Sequence, residues 1–194
     1  MNNPFNPSFG KVPNIFLDRT HAVTKLSNEL QDPNSPYQTT LIYGVRGVGK
    51  TSLLTDIGNK MSAKKNWLVV NLATNYNVLQ TLIDSICQKS SPEIKKLLDK
   101  IEGIKLSAFG IQFEYRLQEL TETNYQIFLE NILDKLQDKN ISLLVTIDEV
   151  DPTPEIKNFI SLYQLLIREN YQISLIMTGL PNKLSELQND DVLT

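Results

Sequence analysis

The 194-residue chain has one cysteine, Cys87, and one histidine, His21. A lone cysteine closes no internal disulfide, which suits a reducing compartment. Cys87 and His21 together are too few soft ligands for a zinc site. A Ser-His-Asp group would have to be built on His21, and nothing around that residue suggests one. No apolar stretch reaches 18 residues, so no membrane-spanning helix is expected. The first residues, Met1-Asn2-Asn3-Pro4-Phe5, lack a basic stretch leading into an apolar core, so no secretory signal is read there. Taken together these points predict a cytoplasmic protein with no membrane partner. An excess of positive charge is missing too: 19 Lys+Arg against 22 Asp+Glu leave a net charge of −3. That speaks against a domain whose main role is to coat nucleic acid. It leaves room for DNA or protein contacts made by segments outside this chain.

What is present is ordinary for a globular domain: 41% hydrophobic and 21% charged residues. Residues 1–19 hold three prolines and the apolar Phe5, Phe9, Ile15 and Phe16. Proline forbids a long helix there. An extended arm docked through its aromatics is expected, with a loose terminus as the alternative. Residues 20–194 then read as one domain.

Within it, Ala22, Val23, Leu26 and Leu30 recur at helical spacing, and Asp32-Pro33-Asn34-Ser35-Pro36 breaks the chain. Thr39–Tyr43 is a short strand followed by a glycine-rich loop and a helix carrying Leu53, Leu54, Ile57 and Met61. Trp67–Leu72 is an almost wholly apolar run, as in a strand buried on both faces of a parallel sheet, and Ile141–Ile147 reads as a third buried strand. Ile173–Met177 gives a fourth strand, ending at Thr178-Gly179. Helical spacing marks Val78–Ile86, Ile94–Leu98, Tyr125–Leu136 and Ile156–Ile167. Residues 103–117 alternate about Phe109-Gly110 and predict an inserted β-hairpin. Alternating strands and helices define an α/β class with a mainly parallel sheet.

Gly44-Val45-Arg46-Gly47-Val48-Gly49-Lys50-Thr51 fits G-x-x-x-x-G-K-[ST], in the required setting between an apolar strand and an amphipathic helix. The alternative, a glycine-rich turn that happens to precede Lys-Thr, does not explain that setting. Gly44, Gly47 and Gly49 free the backbone so that amides from Gly47 and Val48 through Thr51 and Ser52 can turn toward phosphate oxygens. The helix N-terminus adds its dipole. Lys50 can reach the β- and γ-phosphates, and the Thr51 hydroxyl can bind Mg²⁺. ATP and Mg²⁺ are therefore the expected cofactors; no Asn/Thr-Lys-x-Asp guanine motif occurs.

Leu143–Glu149 ends a buried strand with two adjacent acids. The carboxyl ends of parallel strands face the ligand crevice. Asp148 is expected to hold Mg²⁺ through its water shell, and Glu149 to polarise a water for in-line attack. Acid pairs after strands also serve as helix caps, but the long interval after Lys50 leaves room for the strand–helix units of a nucleotide site. Asp151, flanked by Pro152 and beside Pro154, is expected to cap the next helix.

With both motifs in hand, the chain resembles the AAA+ class of P-loop ATPases, of the origin-recognition or STAND-like branches. Three further features carry the resemblance. Val12–Arg19 looks like the adenine-side box that precedes the phosphate loop, although Asp18-Arg19 stands where the box usually reads Gly-Arg. Asn71 sits at the end of the second strand, where the class often restrains the catalytic glutamate; as read from the residues, an asparagine there is more often a turn residue. Ser174–Pro181 looks like a sensor strand. The resemblance implies a three-layer α/β/α sandwich with strand order 5-1-4-3-2, the fifth strand and a helical lid following Thr194. It implies that Thr178 joins Lys50 and Glu149 in the catalytic group, touching the γ-phosphate or attacking water. It implies that Arg19 lies near base or ribose; otherwise Arg19 would pair with a surface acid. It also implies assembly of the full-length protein into a homo-oligomer.

An ATPase whose cycle drives a conformational or assembly change is thus the first reading. A slow STAND-type switch holding ATP or ADP is the second, and uses the same residues. A small-molecule kinase fits Glu149, Thr178 and the long N-terminal box poorly.

Overall fold

The computed structural model describes residues 19–73, 77–101 and 122–189. The expected arm and the expected hairpin at 103–117 lie outside them. Chain order runs α1 (Thr20–Glu29), a 3-10 turn (Pro36–Gln38), β1 (Thr39–Tyr43), α2 (Lys50–Ser62), β2 (Trp67–Leu72), α3 (Val78–Lys89) and α4 (Pro92–Leu98). It continues with α5 (Glu122–Gln137), β3 (Ser142–Ile147), α6 (Pro154–Arg168), β4 (Ile173–Gly179) and α7 (Pro181–Asn189). Among the described residues the strand pairs are all parallel, in the order β1-β4-β3-β2. This is the 1-4-3-2 part of the expected order.

Cover on both faces explains the apolar runs: along β2, Val70 and Leu72 pack into one cluster while Trp67 and Val69 pack into another. Along β3, Leu143, Val145 and Ile147 pack into one cluster while Leu144 packs into another. Along β4, Leu175 and Met177 alternate with Ile176 in the same way. Both faces are therefore covered. On one face lie α1 and α2, whose Val23, Leu30, Leu54, Ile57 and Met61 meet Trp67, Val69, Leu144 and Ile176. On the other, α3 to α6 contribute Leu82, Ile86, Leu129, Ile132, Phe159 and Tyr163, among others, and α7 contributes Leu187. Tyr163 also fixes the start of β1: its hydroxyl lies 2.8 Å from Thr39 Oγ1 and donates to Gln38 O at 3.1 Å.

Local chemistry sets the helix starts. Ser91 caps α4 by accepting from Ile94 N–H, and Thr153 caps α6 by accepting from Ile156 N–H, each just before a proline at the first helical position. The expectation that Asp151 caps α6 is thus corrected: Thr153 does so, and the Asp151 carboxylate pairs with Lys183 of α7. Helix α7 itself was not among the sequence expectations.

Candidate functional site

The loop between β1 and α2 needs its three glycines for two reasons. Gly47 and Gly49 have φ of 83° and 84°, the left-handed region that side chains disfavour. A Cβ on Gly44 would instead lie 3.2 Å from Val48 Cγ2, so that position is set by space. Gly49 is the residue before α2, and α2 has no side-chain cap. Lys50 turns back over the loop, its Nζ donating to Gly44 O at 2.8 Å and Val45 O at 3.0 Å. Ser52 is half-buried in the first turn of α2.

The acidic strand end meets this loop. Thr51 Oγ1 donates to Asp148 Oδ2 at 2.7 Å, across 97 residues of sequence. The other carboxylate oxygen, Oδ1, accepts from Thr178 Oγ1 of β4 and from the Glu149 N–H at 3.1 Å. The same Glu149 N–H also reaches Thr178 Oγ1 at 3.1 Å, and Val150 N–H donates to Thr178 O at 2.8 Å. Thr178 is fully buried, whereas Glu149 is exposed. Glu149 has φ 49°, an unusual value for a residue with a long side chain. These bonds hold it in that conformation.

A crevice of about 170 Å³ adjoins the site, lined by Thr51, Thr55, Asn71, Thr146 and Asp148, with Lys89 at its side. Asn71 lies in β2, paired with Thr146 of β3, whose Oγ1 donates to Asn71 Oδ1 at 2.8 Å. It is a strand residue rather than a turn residue. A larger cavity of about 500 Å³ sits at the amino ends of the strands, among amides such as Gln31, Gln38, Asn66, Asn140 and Gln172. It shares no residue with the loop or the acidic pair.

The residues fit a nucleotide and a divalent ion. Thr51 and Asp148 present hard oxygen donors side by side, as Mg²⁺ prefers. The loop's positive-φ glycines and uncapped helix start suit a phosphate chain.

The structure joins Thr51, Asp148, Thr178 and the Glu149 N–H in one hydrogen-bonded group, with Lys50 next to Thr51 in the chain and bonded to the loop carbonyls. Arg19, too, reaches the phosphate loop. Arg19 Nη1 donates to Gly49 O at 3.0 Å and Nη2 to Val48 O, so its partners are loop carbonyls, not a surface acid. No local sequence signal could have shown this, because the contact spans 29 and 30 residues.

Fold and loop together define a P-loop nucleotide-binding domain of the AAA+ class. Residues 18–159 match the family described as the bacterial DnaA ATPase domain. Similar relatives are the chromosomal replication initiator proteins DnaA of Borreliella afzelii and Treponema denticola. The first is 31% identical over 128 residues, covering 56% of this chain and 26% of the relative. The second is 30% identical over 127 residues, covering 66% of this chain and 25% of the relative. The chain thus spans about a quarter of the length of these relatives. In fold it is similar to the Aeropyrum pernix ORC1 protein solved in complex with DNA, with a TM-score of 0.52 at 14% identity, covering 91% of this chain and 42% of that one. The chain belongs to the bacterial DnaA ATPase domain family, an AAA+ ATPase of the origin-recognition type. Among the described residues, no helix is long and apolar enough to cross a membrane.

Proposed function

We propose that this domain binds ATP with Mg²⁺ at the carboxyl ends of β1, β3 and β4, and hydrolyses it to change the assembly state of a cytoplasmic replication-initiator-type protein. The observation that carries the reading is the continuous bond chain from Thr51 through Asp148 to Thr178 and Glu149 N–H. It joins the end of the phosphate loop to the acidic strand end in one polar unit. In this reading Gly44, Gly47, Val48, Gly49 and Ser52 shape the phosphate cradle. Lys50 exchanges its loop carbonyls for phosphate oxygens. Thr51 and Asp148 hold Mg²⁺, which neutralises phosphate charge. Glu149 accepts a proton from the attacking water, and Thr178 fixes the acidic turn on which Glu149 stands.

Tyr43, Val45 and Val48 are exposed around the loop. Such an apolar rim suits cover by the helical lid that the resemblance implies, or by a second copy of the protein. DNA contact belongs to other segments of the longer protein, in keeping with the net charge of −3.

Calorimetric titration of ATP·Mg²⁺, paired with sedimentation velocity of the full-length protein in ATP and in ADP, tests the reading. One site per chain and larger assemblies in ATP are expected. No binding, or identical assembly in both nucleotides, would contradict it. Tightly held ADP with negligible turnover would favour the slow-switch alternative.

A further inference from the structure

Arg19 stands at the start of α1, with its guanidinium against the back of the phosphate loop. One fork reaches two successive carbonyls, Val48 O through Nη2 and Gly49 O through Nη1. Contact with the loop is close: a Cβ placed on Gly49 would lie 2.9 Å from Nη2 and 3.2 Å from both Nη1 and Cζ. Gly49 is therefore kept free of a side chain twice over, by its φ of 84° and by the guanidinium lying over its Cα.

The peptide unit is planar and trans, so its C=O and N–H point to opposite sides. The carbonyl of Val48 shares a plane with the N–H of Gly49. The carbonyl of Gly49 shares a plane with the N–H of Lys50. Gly49 O also accepts from Leu53 N–H of α2 at 3.0 Å, and the cation adds to that bond and is the charged partner on both carbonyls, holding both N–H groups toward the other side. Hydrogen bonds from a charged donor are stronger than neutral ones. They also polarise the peptide, which makes its N–H a better donor.

A plain structural staple between α1 and α2 would not need this arginine. The two helices already pack through Val23 and Leu30 against Leu54, Ile57 and Met61. Lys60 Nζ of α2 also donates to Thr24 Oγ1 of α1 at 2.8 Å.

We propose that Arg19 is a positioning residue of the phosphate site: it acts on the phosphate chain through the Gly49 and Lys50 amides, not through base or ribose. This rests on the reading of the loop as a phosphate site. The guanidinium spends a separate nitrogen on each carbonyl in a fixed plane, which a single flexible ammonium does not reproduce, so lysine is an imperfect substitute.

The test is calorimetric titration of ATP, GTP and inorganic tripolyphosphate, each with Mg²⁺, into wild type, Arg19→Ala and Arg19→Lys, with thermal melts of each. Arg19→Ala is expected to weaken ATP and tripolyphosphate by the same factor, about tenfold. The ATP-to-GTP affinity ratio should stay unchanged, and Arg19→Lys should recover only part of the loss. Should Arg19→Ala not melt cooperatively, Arg19→Lys carries the test, with ATP and tripolyphosphate falling in parallel. Loss of ATP affinity with tripolyphosphate unchanged would assign Arg19 to base or ribose and overturn the proposal. Unchanged binding of both ligands would reduce it to a staple and overturn it too. A wild type that binds neither ATP nor tripolyphosphate overturns the phosphate-site reading itself, and this proposal with it.

Discussion

Thr178 holds Asp148 from the neighbouring strand: its buried hydroxyl donates to Oδ1, while Thr51 of the phosphate loop donates to Oδ2. The Asp148 carboxylate is thereby aimed from both sides. The Thr178 oxygen also accepts from Glu149 N–H, so one hydroxyl orders both acids.

Thr178→Val keeps the shape and removes the hydroxyl. Turnover is expected to fall by about tenfold or more, while ATP affinity changes little, because the lost bonds orient the acids rather than grip phosphate. Thr178→Ser should restore most of the rate. Single-turnover hydrolysis of the two variants, with calorimetric ATP binding, checks this; equal rates in Val and wild type would remove Thr178 from the account.

Lys50→Ala removes the charge that the proposed reading sets against the phosphates. A charge-assisted contact is worth about 1.5–3 kcal/mol, so ATP·Mg²⁺ affinity should fall roughly tenfold or more. Equal calorimetric affinities would show that Lys50 stays on the Gly44 and Val45 carbonyls when nucleotide binds.

The sheet was legible for physical reasons that can be named. Thr39–Tyr43 and Trp67–Leu72 appear in the structure with the bounds read from sequence, because turn-forming or charged residues flank each apolar run. Strand order is not written in any local pattern and came from the resemblance. The cap of α6 is also written locally: Pro154 at the first helical position makes its predecessor, Thr153, the cap in place of Asp151. Helix α7 was readable by the same rule from Pro181. Other features had no local sign. The partners of Arg19 lie 29 and 30 residues away. The left-handed backbone of Glu149 depends on bonds to Thr178. The pairing of Asn71 with Thr146 arises only once β2 and β3 are in register.

Asp148→Asn should uncouple metal from nucleotide. The amide keeps its size but loses the charge that Thr51 and Thr178 frame. ATP binding measured with and without Mg²⁺ should differ strongly in wild type and little in the variant. An unaltered Mg²⁺ dependence would place the ion elsewhere.

Cys87 should be inert in the folded chain. Burial, with Asp84 and then Asp99 adding to it against an opposing Lys95, pushes the thiol from 9.0 up to about 12. Alkylation at pH 8 is therefore expected to be far slower in the native chain than in denaturant. The sign for stability follows. The raised value favours the folded state fully below pH 9, and that contribution is lost as pH rises toward 12. Reaction rates that match in native and unfolded chains would contradict the buried placement.

In the proposed reading Glu149 acts on water at a site that the phosphate loop and Asp148 build. Glu149→Gln keeps the side-chain shape and removes the base. General-base loss typically costs about 10²–10⁴ in rate. The decisive measurement is single-turnover ATP hydrolysis by wild type and Glu149→Gln, with ATP·Mg²⁺ affinity taken from the same preparations. Hydrolysis at least about a hundredfold slower in the variant, at equal affinity, is the expected result. Hydrolysis at the wild-type rate with affinity retained would contradict the account.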